Sequence, residues 1–298
     1  MFEEAQLYAP VTRSAEGDVE VHLADDHPGA TDEVYRARRN TIAALALAWH
    51  PGEPIPQAVY TDEEQEVWRV ACAHLSELHE TLACAEYLEG KGLLGLPEDH
   101  VPQLDDVTEL LAPLSGFRYI PAAGLVPLRD FYGSLADRLF HSTQYIRHHS
   151  VPLYTPEPDV VHEVVGHANC LALPRFAALY QVAGEAARRV ETAEALEFVS
   201  KVFWFSLEFG VLREPDGVKT YGAGLLSSYG EMQEFQGADL RPLEIGAMGV
   251  QTYDITHYQP VLFCADSFAH VEDVIGAFFQ TVDDDAVRRY VQPAVHSA

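Results

Sequence analysis

The stretch Tyr154-Thr155-Pro156-Glu157-Pro158-Asp159-Val160-Val161-His162-Glu163-Val164-Val165-Gly166-His167 holds two histidines five residues apart. A pair this close invites a metal reading, and the interval has to be weighed first. In the zinc-protease pattern HExxH the histidines are four apart and share one face of a helix. Here five steps of about 100° turn the second imidazole roughly 140° away from the first. Both rings reach one ion only if the helix ends between them, and Gly166 is placed to end it. The spacing therefore argues against a protease. A histidine pair alone is more often capping or core than ligand.

The missing partner is a carboxylate, and Glu208 stands out. It lies in Phe203-Trp204-Phe205-Ser206-Leu207-Glu208-Phe209-Gly210-Val211-Leu212, a run of large apolar side chains. An ionised carboxylate buried there is costly unless a cation or strong donors compensate it. A divalent metal would do so; partial exposure or an arginine partner is the alternative. His162, His167 and Glu208 together make a two-histidine, one-carboxylate set, which leaves positions open on iron(II) for oxygen and a reductant-driven oxidation.

Around this centre the pattern is mainly helical. Thr61-Asp62-Glu63-Glu64 reads as a capping box, and Val67, Ala71, Leu75, Leu78 and Leu82 follow at helical spacing. Similar patterns predict helices over about 31–49, 130–140, 174–190, 193–210 and 271–282. Glu214-Pro215-Asp216-Gly217 signals a small hairpin, and Leu240-Arg241-Pro242-Leu243-Glu244-Ile245 a further short strand. The expected fold is mainly α, an α+β arrangement with a minor sheet. Residues 1–26 are polar and acidic without periodicity and read as a flexible arm, with residues 27–298 as one domain.

The chain has 298 residues, 48% hydrophobic and 22% charged, the composition of an ordinary globular protein. Its formal net charge of −27 would repel nucleic acid and anionic membranes. No apolar run approaches the roughly 20 residues of a membrane-spanning helix. The acidic start Met1-Phe2-Glu3-Glu4 is unlike a secretory signal. Cys72, Cys84, Cys170 and Cys264 form no CxxC pair, and Cys72 and Cys84 read as parts of one helix. Free buried thiols and a cytoplasmic setting are expected.

The chain resembles the pterin-dependent aromatic amino acid hydroxylases, in particular their phenylalanine 4-hydroxylase branch. The resemblance is carried by His27-Pro28-Gly29, Val34-Tyr35-Arg36-Ala37-Arg38-Arg39, Gly116-Phe117-Arg118, Phe140-His141-Ser142-Thr143-Gln144-Tyr145-Ile146-Arg147-His148, the Tyr154–His167 stretch and Tyr221-Gly222-Ala223-Gly224-Leu225-Leu226-Ser227-Ser228. These blocks keep their order over about 27–285. The resemblance implies that fold, with iron(II), a tetrahydropterin and O2 acting on a small aromatic amino acid, and no nucleic acid or membrane partner. It places the iron ligands on His162, His167 and Glu208. Arg147 would grip the substrate carboxylate and Asp159 would hold that arginine, while Thr155 contacts the substrate backbone. Pro158, Trp204, Gly224 and Ser228 would line the same pocket, and Ser227 would orient an iron-bound histidine. For the pterin it implies Phe131 as a stacking ring, Gly124 and Val126 as backbone contacts, and Glu163 as a nearby carboxylate.

Some positions depart from the family pattern. After His167 the family usually continues Val-Pro-Leu, where this chain has Ala168-Asn169-Cys170. Leu128 stands near the expected pterin in place of a small polar residue, and Phe203 replaces a frequent tyrosine. Trp204 and the apolar Ile255 favour phenylalanine over tryptophan and tyrosine, with para-hydroxylation as the expected outcome. The alternatives are a tryptophan hydroxylase, a phenylalanine 3-hydroxylase, a zinc hydrolase using the same three residues, and a non-catalytic amino acid sensor. A chain that begins almost at the catalytic core and ends at Ala298 leads to the expectation of a monomer or weak dimer.

Overall fold

The computed structural model describes residues 10–291 apart from residues 16, 125 and 256. In chain order come β1 (Val11–Arg13), β2 (Val19–Val21), α1 (Glu33–Ala48), α2 (Asp62–Leu82), α3 (Ala85–Leu94), α4 (Leu104–Ser115) and β3 (Arg118–Pro121). α5 (Leu128–Leu135) and β4 (Leu139–Ser142) lead to a π turn, His162–Ala168, which runs into α6 (Asn169–Ala172) and α7 (Pro174–Arg189). α8 (Ala193–Phe203) widens into a second π turn, Trp204–Glu208, followed by β5 (Val211–Glu214), β6 (Gly217–Thr220), α9 (Ala223–Leu226) and α10 (Tyr229–Glu234). The remainder is β7 (Asp239–Pro242), α11 (Ile245–Val250), β8 (Val261–Ala265), α12 (Phe268–Val271), a third π turn (Glu272–Gly276), α13 (Ala277–Thr281) and α14 (Asp284–Val291). The fold is mainly helical with small sheets, as the sequence pattern predicts.

Local chemistry accounts for the main elements. Thr61 Oγ1 accepts from the Glu64 N–H at 3.2 Å, and Glu64 Oε2 accepts from the Thr61 N–H at 2.8 Å, closing the capping box of α2. Glu64 also accepts from Arg38 Nε at 2.8 Å, which ties α1 to α2. Val67, Ala71 and Leu75 are buried along one face of α2. Pro174 opens α7, where its missing N–H costs nothing. At the far end of α7 the Arg129 guanidinium donates to the carbonyls of Ala187 and Val190 at 3.0 and 2.9 Å.

The largest sheet has the order β6-β5-β8-β7; β5 and β6 are antiparallel, while β8 is parallel to both its neighbours. β3 and β4 form a separate parallel pair. One apolar cluster runs from Val67 to Val287 and includes the buried faces of α2, α7 and α8.

Four expectations are corrected. Residues 11–13 and 19–21 pair as an antiparallel hairpin, and buried Val21 packs on Ala43 of α1, so the part of the arm described here is structured. Alternation too short to register as a period is enough for a three-residue strand that docks on a helix; residues 1–9 lie outside the described residues. The helix expected over 130–140 stops at Leu135, because Arg138 adopts φ 57° and turns the chain into β4. The helix expected over 193–210 widens at Trp204. Cys84 caps the N-terminus of α3 rather than continuing α2, which ends at Leu82. Among the described residues no helix is long and apolar enough to cross a membrane.

Candidate active site

The His162–His167 segment does not end as a helix at Gly166, and this corrects the sequence reading. The chain stays helical but widens from His162 to Ala168. A π turn bonds residue i to i+5, so residues five apart share a face. The Nε2 atoms of His162 and His167 consequently lie 3.0 Å apart, their rings perpendicular. Gly166 serves packing instead: a Cβ there would lie 2.6 Å from the Ala223 carbonyl oxygen. The π turn is thus pressed against α9, at whose end stands Ser227.

The ring tautomers follow from their partners. Ser227 Oγ lies 2.8 Å from the Ala223 carbonyl oxygen, which takes its proton, and 2.8 Å from His162 Nδ1. His162 Nδ1–H must therefore donate to Ser227. Tyr180 OH stands 3.0 Å from His167 Nδ1 and 3.5 Å from the Leu207 carbonyl oxygen, which sets the same tautomer at His167. Both Nε2 lone pairs then face each other. Glu208, at the end of the second π turn, brings Oε1 to 3.2 Å from His167 Nε2 and Oε2 to 3.9 Å from His162 Nε2. Three acceptors converge on one point inside the protein, an arrangement that a divalent cation satisfies and an empty apolar pocket would not.

A second carboxylate is close, since the ligating atoms of His162, Glu163 and His167 lie within 4.8 Å of one another. The two glutamates differ in charge. Burial pushes the Glu163 carboxyl well above its usual range, and the neighbouring Glu208 adds to the effect. Burial also opposes ionisation of Glu208, but a proton carried on the His167 and His162 rings, in the place a cation would take, together with the Gly224 N–H outweighs it and holds the carboxyl below its usual value. Glu208 is the readier of the two to ionise and the better metal donor, while Glu163 holds its proton more tightly. Burial and the neighbouring His167 pull His162 down to about 4, which leaves its imidazole neutral at pH 7.

One cavity opens onto these groups. Its wall includes His162, His167, Glu208, Glu163 and Ser227, as well as Arg147, Thr155, Pro158, Trp204, Gly224 and Ser228. Gly124, Val126 and Phe131 lie on the same wall. Asp159 alone of the expected residues is not part of it. It sits behind Arg147 at 0% exposure and accepts from Arg147 Nε at 2.9 Å, Nη2 at 2.8 Å and the backbone N–H at 2.8 Å. Asp159 Oδ1 also accepts from the His162 N–H at 3.2 Å, joining the arginine to the π turn. The Thr155 hydroxyl donates to the Glu157 carbonyl at 2.7 Å, so it holds its own loop and keeps only acceptor capacity for a ligand.

Trp204 stacks on Tyr253 at 4.1 Å and 7° and tilts against Phe209 at 4.4 Å. Phe131 meets Phe140 edge-on at 5.7 Å. The N-terminal hairpin reaches this side too: a Cβ on Gly124 would lie 3.1 Å from the Val11 side chain. Leu128 and Phe203 lie outside the cavity wall; Phe203 is buried edge-on to Tyr132 and Tyr180.

Sequence reasoning missed several wall residues. Glu231 is 7% exposed and lines the cavity, accepting from the Gln259 N–H at 3.0 Å. Gln259 in turn accepts from Trp204 Nε1 at 3.4 Å and donates to the carbonyls of Asp254 and His257. Its place one helical turn after Ser228 was the available signal for Glu231. Tyr180, which sets the His167 tautomer, had none.

Residues 12–295 match the family model of the biopterin-dependent aromatic amino acid hydroxylases. The chain belongs to that family. It is 53% identical over 261 residues to a phenylalanine 3-hydroxylase of Streptomyces coeruleorubidus, covering 88% of this chain and 94% of that one. It is 42% identical over 274 residues to the rat phenylalanine-4-hydroxylase, covering 90% of this chain and 60% of the longer rat protein. Among solved structures, the phenylalanine hydroxylase of Chromobacterium violaceum with bound iron(III) and 7,8-dihydrobiopterin superimposes with a TM-score of 0.69 at 29% identity, over 74% of this chain and 81% of that one. The apo enzyme of Colwellia psychrerythraea gives 0.73 at 28% identity, over 82% and 92%. Family membership removes the ground for the zinc hydrolase alternative.

Proposed function

We propose that the chain hydroxylates the aromatic ring of L-phenylalanine, with iron(II) held by His162, His167 and Glu208, a tetrahydropterin as reductant and O2 as co-substrate. The observation that carries this reading is the convergence of two imidazole lone pairs and one carboxylate on a cavity that also presents Arg147 and Trp204. The iron and dihydrobiopterin in the Chromobacterium violaceum enzyme support the same assignment. Iron, oxygen and the pterin would supply the oxidising chemistry.

The protein's part is to bind, orient and exclude water. Arg147 presents a planar fork to the substrate carboxylate, and Asp159 fixes that fork by engaging Nε and Nη2. Thr155, Gly224 and Ser228 flank the amino acid backbone. Pro158 and Trp204 wall the ring, and the Trp204 plane is fixed by Tyr253 and Gln259. Ser227 holds the ring of His162. Gly124, Val126, Phe131 and Glu163 form the pterin side. Ile255 lies on the cavity wall without a polar group for a phenol, which favours phenylalanine over tyrosine.

Two ring positions are supported by different observations. The rat 4-hydroxylase and the family resemblance favour the para product. The higher identity to the Streptomyces 3-hydroxylase, over nearly its full length, favours the meta product. The test is an anaerobically iron-loaded assay with tetrahydropterin, O2 and phenylalanine, in which para- and meta-tyrosine are separated by chromatography. Either product, lost in Glu208→Ala, supports the hydroxylase and fixes the position. Absence of both, with no pterin consumed, overturns it.

A further inference from the structure

Where a π turn hands over to an α-helix, one backbone carbonyl loses its i+4 N–H partner. The π turn here ends at Ala168 and α6 begins at Asn169. At this junction the Val165 carbonyl oxygen accepts from two side chains, Tyr87 OH at 2.9 Å and Asn169 Nδ2 at 2.9 Å. Asn169 Nδ2 also donates to Tyr87 OH at 3.2 Å, which closes a triangle of buried groups. Two residues earlier, the Glu163 carbonyl accepts from Tyr119 OH at 2.7 Å. α3 is drawn tightly against this point: a Cβ on Gly90 would lie 2.2 Å from the Asn169 carbonyl oxygen.

The residue at 169 differs from the proline of the family's usual Val-Pro-Leu. Proline has no N–H and cannot close an α-helical bond to the carbonyl four residues back. Asparagine has that N–H. An Asn169 N–H bond to the Val165 carbonyl would narrow the turn to α pitch and set the two imidazoles roughly 140° apart. The backbone constraint that proline imposes is therefore absent from this chain, yet the wide turn persists.

We propose that Asn169 is a positioning residue for the metal site. Its carboxamide, together with the Tyr87 hydroxyl, occupies the Val165 carbonyl and so holds open the π turn that places His162 and His167 on one face. The inference rests on the metal reading of the preceding section, and the experiment separates the two.

Co(II) is titrated into metal-free protein and followed by its visible absorption, with far-UV circular dichroism as the check on folding. The parent chain, Asn169→Ala, Asn169→Pro and Tyr87→Phe are compared. Asn169→Ala keeps the N–H and loses the carboxamide, so Co(II) affinity falls by at least about fivefold, toward the 10–100-fold typical of lost outer-shell support. Asn169→Pro restores the family's constraint and stays above that threshold. If Asn169→Ala does not fold, the comparison moves to Tyr87→Phe against Tyr87→Phe/Asn169→Pro, in which proline recovers the lost affinity. Asn169→Ala that stays above the threshold, or proline that weakens binding as far as alanine does, overturns the proposal. So does a Tyr87→Phe defect that proline leaves uncorrected. A parent chain that binds no Co(II) overturns the metal reading and this inference with it.

Discussion

The Nε2 atoms of His162 and His167 lie 3.0 Å apart although a regular α-helix would turn the two side chains away from each other. The π turn makes the pair, and Ser227 and Tyr180 each hold one ring by its Nδ1. The site therefore depends on a backbone irregularity and on two hydroxyls from distant elements.

Ser227→Ala removes the acceptor for the His162 Nδ1–H. The imidazole then loses both its orientation and its fixed tautomer. Metal affinity is expected to fall about 10- to 100-fold with the overall fold retained. A Co(II) or Fe(II) titration reads this directly, and an unchanged affinity would show that the ring is held by packing alone.

Glu208→Ala removes the charge that the two imidazoles face. Parent protein with metal at about 100 times its dissociation constant gains about 2.7 kcal/mol of stability through binding. Its melting temperature should therefore rise on metal addition, while that of Glu208→Ala stays flat. A comparable rise in the variant would place the metal elsewhere.

Arg147→Ala leaves the fully buried Asp159 carboxylate without its bidentate partner. Breaking a buried pair in this way costs about 3–5 kcal/mol. Asp159→Asn in the same chain should recover part of that loss in urea denaturation, because the uncompensated charge is gone. Neither variant should bind phenylalanine in calorimetry; binding with parental affinity would remove Arg147 from the substrate site.

Burial raises the Glu231 carboxyl to about 7, against a single opposing hydrogen bond from the Gln259 N–H. The native state holds this proton more tightly than the unfolded chain, so its contribution is greatest at low pH. Stability is lost as pH rises from about 4.3, where the unfolded glutamate ionises, to about 7. Glu231→Gln keeps an acceptor for Gln259 and does not titrate. Unfolding free energies of the two proteins from urea denaturation should diverge across that window, by up to about 4 kcal/mol, and then run parallel above it. Free energies that track each other from pH 5 to 8 would rule out a buried acid at this position.

Much of the centre was legible in the sequence because residue type and local spacing are local properties. A glutamate at 208 among aromatic residues needs a counter-charge wherever the chain goes, and two nearby histidines are the natural partners. The Thr61-Glu64 cap needs only four consecutive residues, and the structure contains it unchanged. The cavity also gathers the residues that the family resemblance named, with Asp159 one layer behind.

The sequence by itself determined the donor types, the helical character and the aromatic, arginine-bearing pocket. Tertiary structure decided how the donors meet. Five-residue spacing suggested a helix that ends at Gly166; the chain instead forms a widened helix, with Gly166 packed against Ala223 and the Val165 carbonyl bonded by Tyr87 and Asn169. The docking of β1 beside Gly124, the hydroxyl of Tyr180 on His167 and the link from Glu231 through Gln259 to Trp204 were likewise settled only in three dimensions. Apart from the local Asn169–Val165 bond, these contacts join residues of different elements, and local periodicity carries no information about which group of another element will arrive to satisfy a freed carbonyl or a ring N–H.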